Sequence, residues 1–326
     1  MSAGRSSPSS FASPTERLSQ RLPALDASGG WRTRFAPAPT GYLHLGHLVN
    51  ALCVWGIARA YGGEVLLRIE DHDRTRCRPE YERALLEDLD WLGFHPDLMS
   101  TDSYRAQRTG HPGRQSDNDA VYVDALAALE ARGLVYACDC TRRMIAGDTP
   151  RAAGEERAYP GTCRERGVDR MATPARRVRL DAAMESFDDL RLGPLSQTPA
   201  EQCGDLLARD RNGNWTYQFA VTMDDMRHGV DVIIRGEDLL ASTGRQRQLS
   251  RLLGRERMPL VLHHPLLVHA DGSKLSKANH DTALRERRAL GATPAQLLGE
   301  AAHRAGLAAS PAPLDADDVA MLFRVS

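Results

Sequence analysis

Between Arg32 and Ile69 the chain leaves few folds open. A short apolar run, Arg32 to Ala36, is stopped by Pro37, Pro39 and Gly41; an apolar stretch from Leu48 to Ala60 follows, and a second short run occupies Val65 to Ile69. Proline withholds a ladder donor and glycine tolerates a tight turn, so the first run ends as a strand and the long stretch after it is predicted to be a helix. Strand, helix and strand in that order predict two buried parallel strands with a ligand at their carboxyl ends. Further strands are predicted at Trp215 to Val221, Val230 to Ile234 and Pro265 to Val268, with a short one at Arg177 to Leu180 and helices at Leu239 to Leu253 and Pro294 to Gly306. The expected class is α/β with a doubly wound parallel sheet.

The turn itself carries chemistry. In Arg34-Phe-Ala-Pro-Ala-Pro-Thr-Gly-Tyr-Leu-His-Leu-Gly-His47, two imidazoles, His44 and His47, bracket Leu45 and Gly46 at the helix start. Amides there favour anions, Gly46 lets a ligand approach the backbone, and histidines three apart can donate to phosphoryl oxygens. Far downstream lies Gly272-Ser-Lys-Leu-Ser-Lys277, and Lys274 and Lys277 are the only lysines among 42 Lys+Arg residues. Arginine does every other cationic job, so a retained lysine points to a compact, mobile ammonium of the kind that handles phosphate. Two leftover surface lysines are the bland alternative.

The His-x-Gly-His and Lys-x-Ser-Lys pair resembles the two signatures of class I aminoacyl-tRNA synthetases. Phe35 to Gly41, Leu66-Leu-Arg-Ile-Glu-Asp-His-Asp-Arg74 and Val230-Asp-Val-Ile-Ile-Arg-Gly-Glu-Asp238 are similar to the glutamyl branch, and the likeness runs from about Arg34 to about Asn279. Within that branch the chain most resembles the short glutamyl-queuosine tRNA(Asp) synthetases, because too little chain follows Lys277 for an anticodon-binding domain of ~100 or more residues. The resemblance implies ATP-dependent activation of L-glutamate to glutamyl-adenylate without tRNA, magnesium accompanying the ATP. Transfer of the glutamyl group to queuosine at the wobble position of tRNA(Asp) then follows.

The same resemblance implies catalytic roles for His44, His47, Lys274 and Lys277, and an ATP site of His44, Gly46, His47 and Lys277. It implies a glutamate pocket of Arg34, Phe35, Ala36, Pro37, Ala38, Glu70, Tyr217 and Arg235, in which the arginines meet carboxylates and Glu70 meets the ammonium. Taken singly, each arginine reads also as a strand-end salt bridge. Ala38 departs from the family's usual serine; a lost hydroxyl hydrogen bond costs about 1 kcal/mol, so weaker glutamate binding is expected. Two other readings stay open: a truncated glutamyl-tRNA synthetase charging a tRNA 3′ end, and a non-catalytic RNA-binding paralogue.

Six cysteines in a chain without secretory features are expected to be reduced thiols. Cys138, Cys140 and Cys163 cluster, and with Tyr159 as an oxygen ligand they suit a tetrahedral ion, zinc before iron or magnesium. Spacing alone leaves a structural zinc and plain thiols both open. The resemblance implies one Zn2+ on Cys138, Cys140, Tyr159 and Cys163, while Cys53, Cys77 and Cys203 read as core or surface thiols.

With 42% hydrophobic and 26% charged residues the chain can bury a sizeable core, and a net charge of -1 gives no global attraction to nucleic acid. RNA contact is therefore expected from local clusters: Arg142 and Arg143, Arg176 to Arg179, and Arg245 to Arg257, each readable also as a solvated face. The expected organisation is a disordered tail over 1–30, catalytic halves at 31–135 and 198–290, an inserted zinc-bearing domain at 136–197, and a short helical end at 291–326. Residues 102–113 are expected to form a polar surface insertion. No apolar run reaches the ~20 residues of a membrane span and no signal peptide is visible, so a cytoplasmic location without membrane or obligate protein partner is expected.

Overall fold

The computed structural model describes residues 18, 20–26, 30–146, 158–267 and 282–324. Strand β1 (Arg32–Phe35) pairs in parallel with β2 (Glu64–Leu67) through helix α1 (Leu45–Ala60), as the strand–helix–strand pattern predicts. Helix α1 is apolar on nearly every side and buried along most of its length, which marks a central helix covered on several faces. Its outer cover comes from the far end of the chain. A Cβ at Gly56 would collide with the ring of Phe323, so this glycine makes room for the C-terminal 3-10 turn Ala316–Leu322 and its neighbour Phe323.

Helix α2 (Pro79–Leu92) and helix α3 (Asp119–Ala131) follow β2. Of the stretch expected as a polar surface insertion, Asp102, residues 105–110 and Pro112 are exposed as expected, but the stretch is also anchored in the core. Tyr104 and His111 are buried and stacked with ring centroids 3.8 Å apart, and the Tyr104 hydroxyl donates to the Leu67 carbonyl at 2.9 Å. Leu67 N–H bonds to the Leu98 carbonyl (3.1 Å) and Ile69 N–H to the Gly113 carbonyl (2.9 Å), so this stretch seals the outer edge of β2.

Three short strands, β3 (Val135–Ala137), β4 (Arg176–Val178) and β7 (Leu206–Arg209), form an antiparallel sheet in the order β3-β4-β7. The hairpin β5 (Glu185–Asp189) and β6 (Gly193–Gln197) does not belong to it: β5 pairs in parallel with β9 (Leu260–His264), which pairs in parallel with β8 (Val232–Gly236). Residues 185–197, inside the span expected as an insertion, thus add a mixed edge to the central sheet, and the parallel expectation fails at the β5–β6 hairpin. Strand β1 lies beside β8, tied by the Asp231 N–H to the Arg32 carbonyl at 2.8 Å.

Two predicted strands are corrected. Tyr217–Arg227 is helix α4, and the strand expected over 265–268 ends before Pro265, at His264. Trp215, Tyr217 and Phe219 alternate as in a strand, yet Trp215 and Phe219 are also four apart and stack at 5.4 Å; aromatic alternation alone does not separate the two periods. The predicted helix at Leu239 resolves into a 3-10 turn, Glu237–Ser242, leading into α5 (Thr243–Leu252), and the last long helix is α6 (Pro294–Arg304). Leu22 and Leu25, expected in a disordered tail, are buried in the main core. No helix among the described residues is long and apolar enough to cross a membrane.

Candidate active site

The carboxyl ends of β1, β8 and β9 open onto a cavity of about 580 Å3. One wall is the start of α1, which begins at Leu45 rather than Leu48 because His44 caps it. The Nδ1 of His44 accepts from the Gly46 N–H and the Nδ1 of His47 accepts from the His44 N–H, both at 3.1 Å. Two histidines thereby form a capping box, a task usually given to Ser/Thr and Glu. With both Nδ1 atoms accepting, the proton of each neutral ring sits on Nε2. A Cβ at residue 46 would lie 2.9 Å from His44 Cε1, so glycine is required to keep this arrangement.

Arg34, Phe35, Ala36, Pro37, Ala38, Glu70, Tyr217 and Arg235 line the same cavity as His44, Gly46 and His47. Its rim continues through Pro265, Leu266 and Leu267. Lys274, Lys277 and Gly272 lie outside the described residues.

The floor is a buried charge network. Asp225 on α4 accepts from Arg34 Nε (3.0 Å) and Arg68 Nη1 (2.6 Å), and Arg68 Nη2 donates to Glu70 at 2.8 Å. Burial alone would raise the Asp225 carboxyl, but the two guanidinium groups hold it well below the usual carboxylate range. Asp224, also fully buried, accepts from Tyr122, Gln115 and Arg227. Burial and the nearby Glu70 push the Tyr217 phenol up to about 12, so it stays a donor at neutral pH.

Arg235 is fixed by a second chain of contacts. Its Nε donates to His263 Nε2 (3.0 Å), Nη1 to Gln246 Oε1 (2.6 Å) and Nη2 to Thr243 Oγ1 (2.7 Å). A guanidinium can only donate, so His263 carries its proton on Nδ1, which donates to the buried Asp189 at 2.7 Å. Asp189 comes from β5, which places the hairpin behind the site.

Away from this cavity, Cys138, Cys140 and Cys163 bring three sulfur atoms within 4.8 Å of one another, all buried. Tyr159 joins them, its oxygen 3.6 Å from Cys138 Sγ and 3.9 Å from Cys140 Sγ. Arg177 spends its charge here, with Nε 3.3 Å from Cys138 Sγ and its guanidinium 3.6 Å from the Tyr159 ring centre. It is buried, as is Arg245, so neither is part of a solvated basic face.

Residues 31–310 match the catalytic domain of class I tRNA synthetases (E and Q). A glutamyl-Q tRNA(Asp) synthetase of Burkholderia cenocepacia is 44% identical over 286 residues, which cover 86% of this chain and 89% of the relative. The chain belongs to the glutamyl-Q tRNA(Asp) synthetase family. Relatives of the same description occur in Cupriavidus metallidurans, 43% identical over 78% of this chain and 79% of the relative, and in Symbiobacterium thermophilum, 39% identical over 89% and 91%. A glutamate tRNA ligase from Elizabethkingia meningosepticum, solved in complex with its amino acid, superposes with a TM-score of 0.71 at 23% identity. That pair covers 91% of this chain but 64% of the ligase, and the likeness is one of fold.

Sequence reasoning overlooked Arg68, Asp224, Asp225, Asp189 and His263, which set the positions of the residues it named. One signal was available. Arg68 interrupts the apolar run Val65 to Ile69, and a charge in a buried strand demands carboxylate partners. Which carboxylates answer it depends on the fold bringing Asp225 of α4, over 150 positions later in the chain, to Arg68.

Proposed function

We propose that this chain activates L-glutamate with ATP and magnesium and transfers the glutamyl group to queuosine in tRNA(Asp). The observation that carries the reading is its 44% identity over 86% of its length to a relative named for that activity. The cavity supports it chemically. A carboxylate oxygen of glutamate attacks the α-phosphate of ATP, pyrophosphate leaves, and a queuosine hydroxyl then attacks the activated carbonyl with loss of AMP. None of these steps needs a covalent enzyme nucleophile; they need orientation and charge compensation. Arg34 and Arg235 are assigned to the carboxylates of glutamate, Glu70 to its ammonium and Tyr217 to the pocket wall. Phe35, Ala36, Pro37 and Ala38 line the remaining surface. The His44 and His47 Nε2–H groups and the amides of α1 are assigned to the triphosphate, with Gly46 allowing close approach, and Lys274 and Lys277 to the departing pyrophosphate.

The decisive assay offers glutamate, ATP and three RNAs. Glutamate-dependent pyrophosphate exchange is expected without RNA, and transfer to a tRNA(Asp) anticodon stem-loop carrying queuosine, with none to the same RNA unmodified. Robust charging of tRNA(Glu), or a requirement for a 3′ terminus, would overturn this in favour of a glutamyl-tRNA synthetase acting on the acceptor end.

The cysteine cluster is read as a structural zinc site. A tetrahedral ion with Zn–S ~2.3 Å places its sulfur ligands ~3.8 Å apart, a spacing that the observed 3.4 Å between Cys140 and Cys163 and the 4.8 Å limit of the trio accommodate. Among the described residues, Tyr136, Ile145 and Val168 are the partly buried apolar side chains packed against the four ligand candidates. The residues from 31 to 135 and from 198 to 290 are read as the two catalytic halves, with 136–197 as the inserted stretch that carries the zinc site, and a cytoplasmic location for the whole. Protein purified without chelator is expected to hold one zinc per chain. Tyr159→Phe should weaken retention against a chelator without abolishing it, because three thiolates supply most of the binding; zinc-free wild type would refute the site.

A further inference from the structure

A second hollow, about 830 Å3, lies beside the catalytic cavity between the loop 71–78, the start of α2 and residues 105–117. Arg74, Arg78, Arg83 and Arg108 line it and are exposed. Three other arginines in and beside it are paired with carboxylates: Arg76 with Asp73, Arg105 with Asp90 and Asp102, and Arg114 with Glu82 and Asp117. Arg74, Arg78, Arg83 and Arg108 have no carboxylate partner among the described residues. Arg74 donates to the Ser116 carbonyl and Arg78 to the carbonyls of Thr75 and Cys77, which fixes their direction without cancelling their charge. The acids that share the groove are Asp71, bonded to Ser116, then Glu82 and Asp117, both held by Arg114, and Glu87, one turn beyond Arg83 and exposed. The rim is therefore cationic in a chain whose net charge is -1.

The groove adjoins the catalytic cavity. Pro39 lines it while the adjoining Ala38 lines the catalytic cavity, and Arg74 also borders a hollow of about 300 Å3 with His72. The His72 ring faces Tyr217 at 6.2 Å between centroids. A small anion would need one converging pocket, whereas spaced cations along a groove suit a polymer whose charges recur. We propose that this groove carries the phosphodiester backbone flanking the acceptor nucleoside of the RNA substrate. The inference rests on the reading above that RNA is the acceptor.

Binding, rather than transfer, tests it. A fluorescent tRNA(Asp) anticodon stem-loop is titrated with the full chain between 50 and 200 mM salt. The double variant R83A/R108A is expected to raise Kd at least tenfold at the low end and to reduce the slope of log K against log salt by about 1.4, from ~0.7 for each phosphate no longer neutralised. R83K/R108K is expected to keep the slope, since a point charge suffices for phosphate, and RNA-free pyrophosphate exchange reports that both variants are folded. Should the double alanine variant fail to fold, R108A alone is expected to show about half of that slope change. Wild-type Kd and slope in the alanine variant, or lysine variants as weak as alanine, would overturn the proposal. A wild type that binds the stem-loop but glutamylates only a 3′ end defeats the proposed function and leaves the groove assignment standing.

Discussion

Asp225→Asn is expected to lower stability by about 3–5 kcal/mol, the cost of leaving buried charge without its partner. Both Arg34 and Arg68 donate to the same Asp225 oxygen, and all three side chains are almost completely buried. Without the carboxylate, Arg68 keeps Glu70 at 2.8 Å and Asp224 at 3.9 Å, while Arg34 keeps the Ile234 carbonyl at 3.2 Å. A loss of that size is a large share of a typical ~5–15 kcal/mol total, so the urea midpoint should fall sharply, and an unchanged midpoint would show that the network is not structural. The pH dependence has a definite sign. The folded carboxyl is held below its ordinary value by Arg34 and Arg68 against the opposing effect of burial. Its contribution is therefore fully present above the unfolded value of about 3.9 and is lost as pH falls through the folded one. Between neutrality and pH 4 the difference between wild type and variant should stay constant; below pH 4 it should shrink.

Lys277→Ala is expected to slow glutamyl-adenylate formation by an order of magnitude or more, with the thermal midpoint unchanged. Each tenfold corresponds to about 1.4 kcal/mol of transition-state stabilisation, a modest demand for an ammonium that compensates charge developing on the departing pyrophosphate. The measurement is glutamate-dependent pyrophosphate exchange at saturating substrates, where a wild-type rate would remove Lys277 from the catalytic set. Lys277→Arg should rescue only in part, since a planar fork cannot replace a compact, freely rotating charge. Full rescue would mean that the retention of two lysines in an arginine-rich chain carries no chemical information.

The strand–helix–strand unit around residues 32–69 was legible because its evidence is local: proline and glycine stop β1, an apolar stretch of helical length follows, and a second apolar run makes β2. The histidine pair was legible for a related reason, since it sits at a helix start that the same pattern locates, whereas Arg34 to Ala38, Glu70, Tyr217 and Arg235 were named through the resemblance to a known family. Local reading failed where two periods coincide, as at Trp215–Phe219; between residues 102 and 113 it located an exposed polar stretch but not the two side chains that anchor it. There Tyr104 and His111 are buried because their polar atoms find partners in the fold, Tyr104 at the Leu67 carbonyl and His111 at Ser103 and the Gly113 N–H.

By itself the sequence determined the strand–helix–strand unit, the turn that carries His44 and His47, part of the set of residues that line the cavity and the grouping of Cys138, Cys140 and Cys163. Tertiary structure alone decided that Asp225 from α4 would answer Arg34 and Arg68, that Asp189 from the β5–β6 hairpin would orient His263 and through it Arg235, and that four exposed arginines would share one groove. The physical reason is range. Turn chemistry, capping and periodicity act between residues a few positions apart, whereas a buried charge takes whichever partner the folded chain brings to it, and that partner's position in the sequence is set by packing.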